Sequence, residues 1–151
     1  MSYRSLSKAS RGVLIKELDK AYSQYIRVKD AVGGDATCVT CGVTKPWKEL
    51  QNGHFYTRGR YATRWDDANC HVQCYRCNVV LKGNYITYTK YMINRYGMEF
   101  VDELERKSLT SVKIPTPQLR ELIVHYRQQV KAITQSGYPV PVSTLDIEFG
   151  V

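Results

Sequence analysis

The sequence predicts a small α+β protein in which helices flank a middle segment held together by paired cysteines. Three observations carry this expectation. Apolar residues recur at helical spacing before residue 34 and after residue 85, all five cysteines fall between, and that middle stretch is short of aliphatic side chains. The 151 residues suit one domain around a single core. At 43% hydrophobic and 24% charged residues, the composition is that of an ordinary globular protein and excludes a disordered chain. Apolar runs such as Val13-Leu14-Ile15 and Val79-Val80-Leu81 fall far short of the ~20 residues a transmembrane helix needs, so no membrane partner is expected. The opening stretch MSYRSLSKASRG has no apolar signal-peptide run. A cytoplasmic location follows, where thiols stay reduced and favour metal over disulfides.

Within residues 1–34, Leu14, Leu18, Tyr22, Tyr25 and Val28 step by three and four, predicting a helix over Ser10–Ala31 stopped by Gly33-Gly34. Residues 35–84 hold every cysteine and two of the three histidines. Residues 85–136 turn helical again. The expected helices are Ile86–Tyr96 ending at Gly97, Glu99–Lys107, and a last one after the Pro115/Pro117 break. There Thr116 is expected to cap and Pro117 to take the first helical position, with a stripe of Leu119, Leu122, Ile123, Tyr126, Val130 and Ile133 running to about Gln135. The tail, 137–151, reads equally as a strand, a packing arm or disordered chain.

The formal net charge of +8 favours a polyanionic partner. Residues 1–34 carry seven bases against three acids, 35–84 seven against four, and 85–151 eight against seven. The excess therefore lies in the first half. The 12 tyrosines fall at helical spacings and read as core and rim residues rather than base-stacking groups.

Cys38-Val-Thr-Cys41 and Cys74-Tyr-Arg-Cys77 are two C-x-x-C pairs, each able to set two thiolates on one ion through a tight knuckle. Together they make a four-thiolate tetrahedral site for a structural Zn2+, closed to catalysis because no coordination position is left open. A redox C-x-x-C would occur once, after a strand in a βαβ unit, whereas this pattern occurs twice without one. Cys70 lies off the paired spacing and reads as a small buried apolar residue.

The cysteine frame encloses Gly53-His54-Phe55, then Asn69-Cys-His71-Val-Gln73-Cys74-Tyr-Arg-Cys77-Asn78, followed by Lys82-Gly83-Asn84. A His on a first strand, an Asn opening a second, and a polar residue on the following helix resemble the layout of the HNH, or ββα-metal, nucleases. With the flanking knuckles the pattern resembles the phage NinG (Rap) family of recombination endonucleases, densely over residues 37–97. It is more distantly similar to phage endonuclease VII.

That resemblance implies a zinc-stapled ββα core cutting branched recombination intermediates, D-loops or Holliday-type junctions, in a phage-infected or lysogenic bacterial host. His54 would be the general base, since a neutral imidazole works near its own pKa of ~6.5. Asn69 would brace the backbone that orients it. Asn78 would offer a carbonyl oxygen to a catalytic Mg2+ or Mn2+. Gly53 stands where the superfamily often has a metal-ligating Asp, Glu or His, so a second ligand must come from elsewhere. His71 is the first choice, with Asp66, Asp67 and Asn84 in reserve; His125 reads as structural.

The acid-free loop after His54 carries Arg58, Arg60 and Arg64, which are expected to hold DNA phosphate together with Arg76 and Lys82, and more weakly Lys45 and Lys48. Symmetrical cutting would favour a homodimer, and a recombinase or single-strand-binding protein is a further candidate partner. Two other readings remain: a non-catalytic zinc-ribbon DNA-binding module, and a sequence-specific HNH nuclease acting on linear duplex.

Overall fold

The computed structural model describes residues 1–138, so the tail reading for residues 139–151 lies outside the described residues. Two helices open the chain, α1 (Tyr3–Lys8) and α2 (Arg11–Val28). Each begins at a serine whose Oγ accepts a backbone N–H, Ser2 from Ser5 at 3.2 Å and Ser10 from Val13 at 3.4 Å. Helix α1 was not expected, because six residues are too few to show a period.

Helix α2 ends at Val28, short of the expected Ala31. The reason lies in Gly33-Gly34. Val32 and Asp35 exchange two backbone hydrogen bonds of 2.8 and 3.0 Å, and the glycines between them sit at φ +58° and +88°. They form a hairpin turn of the kind that requires positive φ at both central positions, rather than a helix cap.

That turn leads into a hairpin of β1 (Asp35–Thr37) and β2 (Thr44–Pro46), paired antiparallel. A second antiparallel pair follows, β3 (Gln51–His54) with β4 (Cys70–Gln73), in the register Gln51↔Gln73 and His54↔Cys70. Because side chains alternate along a strand, Gln51, Gly53, His71 and Gln73 share one face and Asn52, His54, Cys70 and Val72 the other. Cys70 and Val72 join α2's Tyr22 and Ile26 in one buried cluster.

A π-helical turn (Arg76–Val80) leads on to α3 (Tyr85–Tyr96), α4 (Met98–Ser108) and α5 (Thr116–Gln135). Gly97, at φ +86°, separates α3 from α4 as expected. Thr116 is the first residue of α5 rather than its cap, with Pro115 in the cap position. Leu119 and Ile123 of α5 bury against Leu6, Leu14 and Leu18, and Tyr126 packs edge-on to Tyr22 at 4.9 Å. A third cluster, Phe55, Tyr88, Met92, Val101 and Leu104, sits under α3 and α4. Among the described residues no helix is long and apolar enough to cross a membrane.

Candidate metal centre and adjoining histidine cleft

The β1–β2 turn and the segment after β4 bring Cys38, Cys41, Cys74 and Cys77 together, all four Sγ atoms within 4.8 Å of one another. Cys41 and Cys74 Sγ lie 3.7 Å apart. A tetrahedral zinc with Zn–S bonds of ~2.3 Å sets its sulfurs ~3.8 Å apart, so the donor set and spacing fit this ion. Gly42, at φ +78°, turns the first knuckle and donates its N–H to Cys38 O at 2.9 Å. The Cys77 N–H donates to Cys74 Sγ at 3.4 Å, and Asn84 Nδ2 to Cys77 Sγ at 3.5 Å. Cys70 is fully buried outside this cluster.

Beside the metal centre lies an open cleft of about 570 Å³. His54, Asn52, Asn78, Arg58 and Lys82 line it, and among the described residues no carboxylate does. His54 Nε2 lies 2.8 Å from the backbone carbonyl of Arg64, which can only accept. The proton is therefore on Nε2, and Nδ1 carries the lone pair. Burial pushes this imidazole below its ordinary pKa, against a smaller opposing effect of the Arg64 carbonyl. At neutral pH it is an uncharged base.

Two groups hold that geometry. Asn69, wholly buried, accepts the Tyr56 N–H on Oδ1 at 2.7 Å and donates Nδ2 to the Tyr56 and Thr63 carbonyls at 2.9 and 3.0 Å. It clips together the two ends of the arginine loop that follows His54. Asp19 of α2 accepts from Arg64 Nε at 2.9 Å and from the Trp65 indole N–H at 3.0 Å. It thus grips both residues flanking the peptide whose carbonyl faces His54. Sequence spacing gave no sign of Asp19, which lies 45 residues from Arg64.

Asn78 donates Nδ2 to Gln51 Oε1 at 2.7 Å, so Oδ1 is the atom it could offer to a cation. Asn52, two residues before His54 on the same strand face, also reaches the cleft; its Oδ1 is buried with no hydrogen-bond partner among the described residues. It was missed because a lone asparagine in a strand has no distinguishing spacing. A divalent cation here would meet neutral oxygens and two nearby cations, so its charge would need balancing by a phosphate.

Several expected site residues are not brought to this cleft. His71 lies on the other strand face, opposite Gly53. Tyr88 OH donates to Gly53 O at 2.9 Å, so it accepts the His71 Nδ1 proton at 2.8 Å; Nε2 then accepts from Tyr96 OH at 2.8 Å. With both nitrogens engaged and its pKa pushed down to about 4 by burial, His71 is neutral and braces β4 against α3 on the face away from the His54 cleft. Gly53 leaves no room for a ligand either, since a Cβ there would come within 2.1 Å of Gln73 Oε1.

Of the reserves, Asp66 pairs with Lys107, Asp67 accepts from Tyr22 OH at 2.7 Å, and Asn84 faces Cys77. The arginine loop also divides. Arg64 is paired with Asp19, and Arg60 donates to Ser108 Oγ at 2.7 Å over the Tyr56 ring. Arg58, Arg76 and Lys82 remain exposed, and of these Arg58 and Lys82 line the cleft. Lys45 and Lys48 are exposed on β2 and the turn after it, and neither lines the cleft.

Fold and site together define a small α+β protein with two short sheets and a tetracysteine cluster compatible with structural zinc. The family model described as bacteriophage lambda NinG protein matches residues 2–136, and the chain belongs to that family. It is 31% identical to protein ninG of Escherichia phage 933W over 137 residues, 90% of this chain and 66% of that protein. Protein ninG of Salmonella phage P22 is 29% identical and that of Escherichia phage lambda 28%, each over 90% of this chain and 65% of theirs. The chain thus spans just under two thirds of the length of these relatives. No solved structure gives a significant match.

Proposed function

We propose that this protein is a metal-dependent DNA endonuclease of the HNH type that hydrolyses phosphodiesters in branched recombination intermediates, D-loops and Holliday-type junctions. The observation that carries this reading is the state of His54. Its Nε2–H is tied to the Arg64 carbonyl, which leaves a neutral, basic Nδ1 in a cleft that also holds Asn78, Arg58 and Lys82. In the mechanism His54 Nδ1 takes a proton from the attacking water, and the Arg64 carbonyl steadies the imidazolium that forms. Arg58 and Lys82 hold the scissile phosphate and its neighbour. A bound Mg2+ or Mn2+, taken by Asn78 Oδ1 and the phosphate, would supply charge neutralisation for the crowded oxygens and the departing 3′ oxygen. Asn69 and Asp19 orient the base and move no proton. A zinc held by Cys38, Cys41, Cys74 and Cys77 would lie outside the reaction and would fix the turn that carries Asn78 and Lys82.

The family membership supports a phage DNA-processing role, and the +8 charge supports DNA as the partner. The test is a cleavage panel of matched junction, flap, D-loop and linear substrates with Mg2+ or Mn2+, with His54→Ala alongside. His54→Ala is expected to keep fold and DNA affinity and lose at least ~100-fold in rate. Because the folded pKa of His54 is lowered by burial, activity should rise with pH along an acid limb whose midpoint lies below the ordinary histidine value of ~6.5. Intact substrates throughout would instead establish a non-catalytic zinc-ribbon DNA-binding module. Defined cut sequences in linear duplex would establish a sequence-specific nuclease.

A further inference from the structure

The surface next to the cleft carries an unusual run of exposed apolar side chains. Val80 is 60% exposed, Ile86 79% and Tyr85 49%, with Val79, Leu81 and Tyr75 also in solvent. These residues span the π-helical turn and the first residues of α3. They adjoin the site already described, because Val79 and Lys82 line the His54 cleft. Tyr85 stacks almost parallel on Phe55, the residue after His54, with ring centroids 4.9 Å apart.

The ridge is held rigidly. Lys82, Gly83 and Asn84 all take positive φ, at +50°, +93° and +48°. Gln73 Nε2 donates to Gly83 O at 2.9 Å, the Gly83 N–H to Cys77 O at 2.9 Å, and Asn84 Nδ2 to Cys77 Sγ. The turn is thereby fastened to the metal centre on one side and to β4 on the other. Exposed apolar groups on a fixed, strained turn incur little ordering cost when they bind.

Charge identifies the occupant. From Ala68 to Met98 there is no Asp or Glu, while Arg76, Lys82, Lys90 and Arg95 fall in the same stretch. A second copy docked symmetrically on this ridge would set these cations against themselves. A nucleic acid whose base faces are bared, beside a backbone already lying in the cleft, satisfies both the apolar and the cationic parts. A paired, stacked duplex would first have to be unstacked before these apolar groups could reach base faces.

We propose that Val80, Tyr85 and Ile86 form a wedge that docks on unstacked bases where a DNA duplex branches, next to the strand held in the His54 cleft. This rests on the DNA-cleaving reading for its geometry, and it supplies the branch preference that the cleft itself does not encode. Contact through an apolar wedge requires parted bases, and a branch point supplies them at less unstacking cost than an intact linear duplex.

The test uses the full chain as the non-cutting His54→Ala protein, with 2-aminopurine placed at the branch of a four-way junction and at the matched position of a linear duplex. Binding should raise fluorescence at the branch and not in the duplex. Adding Val80→Ser and Ile86→Ser should abolish that rise and weaken junction binding about ten-fold, while linear-duplex affinity stays level. Val80→Leu with Ile86→Leu should restore both. Absence of the fluorescence rise, or equal weakening on both substrates, would overturn the wedge. So would a serine variant that shifts sedimentation from dimer to monomer, which would assign the ridge to a second copy. A protein that unstacks branches yet, with His54 intact, cuts nothing retains the wedge and refutes the nuclease. A protein that cuts without unstacking does the reverse.

Discussion

The metal centre and the histidine cleft lie side by side but are built in opposite ways. The four thiols come from two tetrapeptides, converge within 4.8 Å, and form a complete donor set for one ion. The cleft draws on β3, the loop after it, the π-helical turn and, through Asp19, on α2. Its own groups are neutral amides and an imidazole, bordered by the cations Arg58 and Lys82. A structural site must be saturated by the protein to stabilise the fold. The cleft, by contrast, leaves its positive charge unbalanced by any carboxylate among the described residues, as the proposed phosphate-binding role requires.

Removing one thiolate breaks this contrast most severely. Cys77→Ser, or stripping the metal with a chelator, removes an ion whose binding to comparable sites is worth ~10–16 kcal/mol. The β1–β2 hairpin and the 74–84 turn should then lose cooperative thermal unfolding, followed by circular dichroism, with recovery on adding Zn2+ to the chelated wild type. A protein that melts unchanged without metal would make the cluster dispensable.

Asn69→Ala comes next. It leaves the Tyr56 N–H and two carbonyls without their partner, a loss of roughly 2–4 kcal/mol in denaturant midpoint, together with the orientation of His54. Gly53→Ala forces a Cβ against Gln73, whose Nε2 is held by Thr40 Oγ1 and the Gly83 carbonyl and so yields little. A cost of ~1–3 kcal/mol is expected, measured as a lowered melting temperature with zinc retained.

Asp19→Asn is the finest of the four and separates orientation from chemistry. The Arg64–Trp65 peptide would loosen, and turnover should fall roughly ten-fold at unchanged KM. Because Asp19 raises the His54 pKa, its neutralisation should move the acid limb of the pH–rate profile to lower pH. An unchanged limb with unchanged turnover would show that Asp19 only fixes α2 to the loop.

Sequence alone determined what depends on short-range spacing. The C-x-x-C pairs, the helical stripes of α2 and α5, the stop at Gly97, and the placement of His54 before an arginine-rich loop could all be read along the chain, because knuckles, helix periods and glycine stops are set within a few residues. Tertiary structure alone decided which of the polar residues remained available. Arg64 meets Asp19 across 45 positions, Arg60 meets Ser108 across 48, and His71 is enclosed by Tyr88 and Tyr96 from a helix that follows it. Each of these side chains carries a chemistry suited to the cleft, and each was claimed by a partner whose proximity no local pattern encodes. Even Gly33-Gly34 obeyed this division: positive φ was legible in the residue type, but a strand partner at Asp35 turned the expected helix stop into a hairpin.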